Sequence, residues 1–210
     1  MEEQQTVFVV DDDDAMRESM QLLLEMLGYQ VQGFANGNAF LEFCSDQDRG
    51  CLVLDMRMPE MTGLELQQAL RARGYGLPVI FLTGFGDVPT TVRALKAGAV
   101  DFLEKPVSKS ILTERIERAF EIDRQRRNNA DAVETVRSRC ATLTRRELQV
   151  MGMATQGLSN KEIAGELGIS PRTVETHRAR VMEKMEADNI ASLCNMVALC
   201  PPDGHYSAAG

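Results

Sequence analysis

Thr6-Val7-Phe8-Val9-Val10-Asp11-Asp12-Asp13-Asp14 is the stretch that decides the fold. Five β-branched or aromatic residues run straight into four aspartates. An apolar run of this length with no polar alternation reads as a strand buried on both faces, the habit of parallel sheets. Three further runs end in a similar way. Residues 51–54 meet Asp55, 79–82 meet Thr83, and 101–103 lead through Glu104 to Lys105. In an open α/β sheet, ligands bind in the crevice beyond the carboxyl ends of the strands. Asp11, Asp12, Asp55, Thr83 and Lys105 are therefore expected to converge. Three carboxylates, a hydroxyl and an ammonium suit a divalent cation and a phosphoryl group, with Asp55 as the natural nucleophile.

Amphipathic helices fill the gaps between these runs. Residues 15–27 place Met16, Met20, Leu23, Leu24 and Leu27 on one stripe, and Gly28 stops it. A strand at 30–34 and a helix at 36–44 follow. After the loop Met58-Pro59-Glu60-Met61-Thr62-Gly63 come a helix at 64–73, a strand at 78–82, and a helix at 88–97 closed by Gly98. Helix resumes from Ser108. Five βα units in about 125 residues predict a five-stranded, doubly wound parallel α/β sheet.

The last helix has no proline or glycine from Ile111 to Arg139. Its apolar stripe stops at Phe120, before the polar run Arg124-Gln125-Arg126-Arg127-Asn128-Asn129. A long helix fraying into a linker near 124–138 is expected, with a flexible linker as the alternative. From Thr142 onward the chain reads as an all-α, four-helix domain. Thr144 with Glu147, and Ser159 with Glu162, have capping-box spacing, and Gly157 and Gly168 end those two helices. Ser170-Pro171 opens a third helix, to about Met185, and 190–199 form a fourth. Residues 201–210 read as a disordered tail.

The helices at 160–167 and 171–185, joined through Gly168-Ile169-Ser170, have helix-turn-helix spacing. Val174, Val181 and Met185 fall on the inner face of the second helix. Arg172, Thr176, Ala179, Arg180 and Glu183 fall on the outer face, where arginine and small residues suit a major groove.

Composition agrees with two domains. The chain has 210 residues, 44% of them hydrophobic, enough for two modest cores. Residues 1–123 carry 11 Lys/Arg against 21 Asp/Glu, and residues 124–210 carry 12 against 10. An acidic front half joined to a slightly basic back half fits a second domain near a polyanion. No apolar run approaches ~18 residues, so no membrane span is expected. Met1-Glu2-Glu3-Gln4-Gln5 lacks the basic region of a signal peptide, and a cytoplasmic location is expected. The five cysteines form no C-x-x-C and read mostly as buried reduced thiols.

Residues 6–120 resemble a bacterial response-regulator receiver domain. The likeness rests on Val9-Val10-Asp11-Asp12, Leu54-Asp55-Met56-Arg57-Met58-Pro59, Phe81-Leu82-Thr83-Gly84 and Phe102-Leu103-Glu104-Lys105-Pro106. It implies that Asp55 accepts a phosphoryl group from a sensor histidine kinase. It also implies that Asp11, Asp12, Asp55 and the Arg57 carbonyl hold Mg²⁺. Thr83 and Lys105 would bind the phosphoryl oxygens, Phe102 would be the switch aromatic, and Lys105-Pro106 a cis bond. A weaker likeness, Asp11-x-Asp13 after a strand, points to haloacid-dehalogenase phosphatases but leaves Asp55 idle.

Leu143-Thr144-x-Arg146-Glu147, Gly157-Leu158-Ser159-Asn160-Lys161-Glu162-Ile163-Ala164 and Ile169-Ser170-Pro171-Arg172-Thr173-Val174-Glu175-x-His177-Arg178 resemble the LuxR-type output domain of the NarL/FixJ family. That likeness implies base contacts from Glu175, Thr176 and Ala179. Backbone phosphate contacts fall to Lys161, Arg172, Thr173 and Arg180. The implied protein is not an enzyme but a transcriptional regulator. Its implied partners are a kinase, promoter DNA, RNA polymerase and, on phosphorylation, a second copy of itself. The implied domains are a receiver at 5–121, a helical linker at 122–138 and an output domain at 139–203.

Overall fold

A computed structural model describes residues 5–84 and 98–199. The helix expected at 88–97 and the tail expected at 201–210 lie outside the described residues. The chain divides into two compact units between Arg126 and Arg127.

The first unit alternates β1 (Thr6–Val10), α1 (Asp14–Met26), β2 (Gln30–Phe34), α2 (Gly37–Phe43), β3 (Gly50–Asp55), α3 (Gly63–Ala72), β4 (Val79–Thr83) and β5 (Asp101–Glu104). The long helix α4 (Lys109–Ala141) follows. All five strands are parallel, in the order β2-β1-β3-β4-β5. Strand pleating sends alternate residues to opposite faces. Phe8, Val10, Leu52, Leu54 and Phe81 meet Phe40, Leu66 and Leu70 of α2 and α3. Val7, Val9, Val53, Ile80 and Leu82 meet Leu24 of α1 and Leu112, Ile116 and Phe120 of α4. The continuous apolar strands are thus buried on both sides, and the chain reverses its winding between β1 and β3. That reversal leaves a crevice at their carboxyl ends.

Element ends shift by a residue or two for local reasons. Asp13 caps α1, its carboxylate accepting from the Met16 N–H (3.1 Å), so Asp14 rather than Ala15 is the first helical residue. Asn36 caps α2 through the Ala39 N–H and stands outside that helix. Thr62 and Glu65 form a capping box on α3. Helix α4 runs unbroken for 33 residues, so the expected fraying near 124–138 does not occur. Arg124 pairs with Glu121 and Arg126 with Asp123 one turn back, and no helix breaker intervenes.

The second unit continues with α5 (Arg145–Thr155), α6 (Asn160–Leu167), α7 (Pro171–Met185) and α8 (Ile190–Leu199). Both expected capping boxes are present, at Thr144/Glu147 and Ser159/Glu162. Gly168 ends α6 at φ 64°, a left-handed conformation that glycine adopts without a Cβ clash. Two apolar clusters hold the unit together. Val150, Ala154, Ile163 and Val174 form one, and Met151, Val181, Met185 and Leu193 the other. Of the four described cysteines, none in a disulfide, Cys44 and Cys51 are buried, whereas Cys140 and Cys194 are half-buried. Burial pushes the Cys44 thiol up to about 12 and holds Cys51 well above the ordinary thiol range. No helix among the described residues is long and apolar enough to cross a membrane.

Candidate functional site

The strand register builds the first site. Val10 pairs with Leu54 and Asp55 pairs with Leu82, so Asp11 and Asp55 leave adjacent strand ends together. Thr83 pairs with Glu104, and the Lys105 N–H donates to the Thr83 carbonyl (2.7 Å). The Lys105 ammonium then donates to Asp11 Oδ2 (2.8 Å) and Asp55 Oδ1 (2.6 Å). The three side chains are 18%, 5% and 10% exposed. Burial works against the charge on Lys105. Its bonds to Asp11 and Asp55 outweigh that effect and hold its pKa above the ordinary lysine value. The second Asp55 oxygen accepts from the Arg57 N–H (2.7 Å), and Asp11 Oδ1 accepts from the Asp13 N–H (3.0 Å).

Asp55, Asp11, Lys105 and Thr83, which is 2% exposed, therefore gather as the sequence predicts. Asp12 does not join them: its side chain is exposed. Among the described residues no three acidic, histidine or cysteine side chains form a ready metal cage. The donor chemistry nonetheless fits a hard cation. Two buried carboxylates share one ammonium, which leaves an excess negative charge, and every available ligand atom is oxygen. Phe102 is half-buried, its ring centroid 6.4 Å from that of Phe81. Lys105-Pro106 is cis.

Two features of this site went unread in the sequence. Arg17 donates to the Asp11 carbonyl (2.8 Å) and pairs with Asp14, fixing the acidic turn. Its signal was a basic residue one helical turn into an otherwise acidic start. Gly63 lies beneath the site, where a Cβ would stand 2.5 Å from the Asp55 carbonyl oxygen. Asp13 is taken up by its cap, so the Asp11-x-Asp13 pair has no second carboxylate aimed at the crevice.

The second site is the outer face of α7. Val174, Val181 and Met185 are buried. Arg172, Thr173, Glu175, Thr176, Ala179 and Arg180 are all exposed, as is Lys161 on α6. The Arg178 guanidinium donates to Asn160 Oδ1 (2.9 Å) and fixes α6 against α7. At the other end, the Lys184 ammonium donates to Glu147 Oε2 (2.7 Å) and to the Thr142 carbonyl (3.0 Å). The Glu147 carboxylate, 1% exposed, also accepts from the Thr144 N–H (2.8 Å). The Lys184 bond and that cap bond pull its pKa down to about 2. Neither tie was read from the sequence. Their partners lie 18 and 37 residues away along the chain, beyond the reach of local pattern.

Known proteins share this plan. Residues 7–117 match the response regulator receiver domain, and residues 141–197 match the bacterial regulatory proteins of the luxR family. The transcriptional regulatory protein FixJ of Rhizobium meliloti is 46% identical over 191 residues, 91% of this chain and 94% of that protein. Nodulation protein W of Bradyrhizobium diazoefficiens is 42% identical over 90% of this chain and 84% of its own length. Among solved structures, the response regulator StyR aligns with a TM-score of 0.83 at 43% identity, covering 93% of this chain and 99% of that one. Full-length FixJ from B. japonicum aligns with a TM-score of 0.58 at 42% identity, covering 93% and 96%.

Proposed function

We propose a mechanism from one premise: the chain belongs to the FixJ-like response regulators, in which a receiver domain is joined to a LuxR-type DNA-binding domain. It is a phosphorylation-activated transcriptional regulator of a two-component system. Asp55 is the phosphoacceptor. One observation carries this: among the strand-end side chains, Asp55 is the buried carboxylate that Lys105 and the Arg57 N–H both address. A sensor histidine kinase supplies the phosphoryl group. Lys105 and the Thr83 hydroxyl hold its oxygens, since phosphoryl transfer depends mainly on positioning and charge neutralisation. Asp11, Asp12, Asp55 and the Arg57 carbonyl would hold Mg²⁺, with Asp12 turning inward. The ion would neutralise charge on the transferring group.

On phosphorylation, Thr83 and Lys105 move toward the new group, Phe102 rotates, and the face around β5 and the start of α4 pairs two receivers. Two output domains then reach half-sites about one DNA turn apart, ~34 Å. Glu175, Thr176 and Ala179 read bases, while Lys161, Arg172, Thr173 and Arg180 hold phosphates. Bound at a promoter, the dimer acts on RNA polymerase in the cytoplasm. The chain catalyses no reaction on a separate substrate. The domain limits that suit this reading are a receiver at 5–121, a linker at 122–138 and an output domain at 139–203.

The experiment supplies Mg²⁺ and a small phosphodonor to the full chain. One acid-labile phosphate should form, and Asp55→Ala should abolish it. Normal labelling of that variant, with loss in Asp11→Ala, would overturn the assignment. Sedimentation of the labelled protein should show a dimer. Arg180→Ala should weaken binding to all DNA sequences and lower the salt dependence by about one phosphate contact, whereas Thr176→Ala should alter base preference. Parental behaviour in both would discard the α7 interface.

A further inference from the structure

We propose that the receiver carries a second binding site, for a small organic carboxylate, at the end of the sheet opposite Asp55. A cavity of about 250 Å³ opens where β4 begins, between the C-terminal end of α3 and the 118–122 turn of α4. Its walls are mixed: Leu70, Tyr75, Leu77, Val79, Val100 and Ile122 supply the apolar part. The Gln67 side chain, 2% exposed, adds one buried amide. Ligand sites combine this kind of apolar lining with a few placed polar groups, and the volume lies below the ~300 Å³ at which drug-sized pockets begin. The occupant is accordingly small.

Its charge follows from two arginines. Arg71 and Arg118 line the cavity, both are exposed, and neither guanidinium makes a hydrogen bond or ion pair among the described residues. The Arg71 guanidinium lies over Gly98, where a Cβ would collide with its Nη2. No carboxylate is among the lining residues. Acidic groups on α4 and β5 already have partners: Asp123 with Arg126, Glu121 with Arg124, and Asp101 with Arg115. Two unpaired guanidiniums beside a partly apolar pocket run against the acidic balance of residues 1–123. A guanidinium matches a carboxylate through two parallel N–H···O bonds, while the apolar walls take the body of the acid. Inorganic phosphate satisfies the first requirement and not the second.

The test titrates benzoate into the full chain and follows methyl NMR signals. Leu77, Val79, Val100 and Ile122 should shift together, saturating in the millimolar range or below. Arg71→Gln and Arg118→Gln should each weaken binding about tenfold. Ile122→Glu, at an exposed wall position, should abolish it by placing a negative charge at the mouth while leaving the other methyl signals in place. Benzamide and inorganic phosphate should bind more weakly than benzoate, the first lacking the charge and the second the apolar body. Three outcomes overturn the proposal. These are shifts centred elsewhere, benzamide or phosphate binding as well as benzoate, and benzoate affinity unchanged in both arginine variants.

Discussion

Replacing Glu147 by Gln tests how α7 is anchored. The carboxylate sits at the start of α5, 1% exposed, and accepts from Thr144 and from Lys184 near the end of α7. Its pKa falls from 4.5 to about 2. At ~1.4 kcal/mol per pH unit, that difference is worth about 3 kcal/mol of folding free energy at neutral pH. The sign is that of a depressed acid. The stability is present above about pH 4.5 and drains away as pH falls toward 2. Glutamine still suits the capping position, so the variant removes chiefly the charge. Lys184 is 32% exposed and can turn partly to water, which lowers the expected loss to about 2 kcal/mol. Native-state hydrogen exchange on the full chain reads this locally. The amides of Met151 and Val181 should lose about 2 kcal/mol of protection at pH 7, and the difference between variant and parent should shrink as pH falls toward 2. Protection within about 0.5 kcal/mol of the parent at pH 7, or a gap that does not narrow in acid, would refute the reasoning.

Lys105→Met leaves Asp11 and Asp55 buried without their shared cation and should cost about 3 kcal/mol at pH 7 in urea denaturation. In the parent, this raised lysine pKa means the contribution is whole below about pH 10.4 and is lost as pH climbs through the folded value. Gly63→Ala should destabilise the receiver by about 1–3 kcal/mol and slow labelling of Asp55, because the new methyl presses on the Asp55 carbonyl and on Phe81. A thermal melt and a labelling time course measure the two effects. Ser159→Ala removes the cap on α6 and should cost about 1 kcal/mol, read by hydrogen exchange at Ile163.

The strands were legible because burial on both faces leaves uninterrupted apolar runs. β1 and β2 have the bounds that the sequence predicts, and β3 differs only by annexing Gly50 and Asp55. The output-domain helices were legible because their first turns carry their own caps, and α7 and α8 span the expected residues. What escaped was long-range pairing of charges. Arg17, Arg178 and Lys184 look like ordinary surface residues until the fold sets Asp11, Asn160 and Glu147 against them. The continuity of α4 also escaped, since a polar sequence held by i,i+3 pairs carries no apolar stripe to reveal it.

Both oxygens of Asp55 are already hydrogen-bonded, one by Lys105 and the other by the Arg57 amide. Donors that stabilise a carboxylate also withdraw the electron density with which it attacks. With Asp55 as the acceptor proposed above, these two bonds should slow its attack. Small phosphodonors should then label it slowly, and transfer should be faster from a partner that holds donor and acceptor in line long enough for the Lys105 bond to be exchanged. A signalling relay needs that silence between signals as much as it needs the transfer itself.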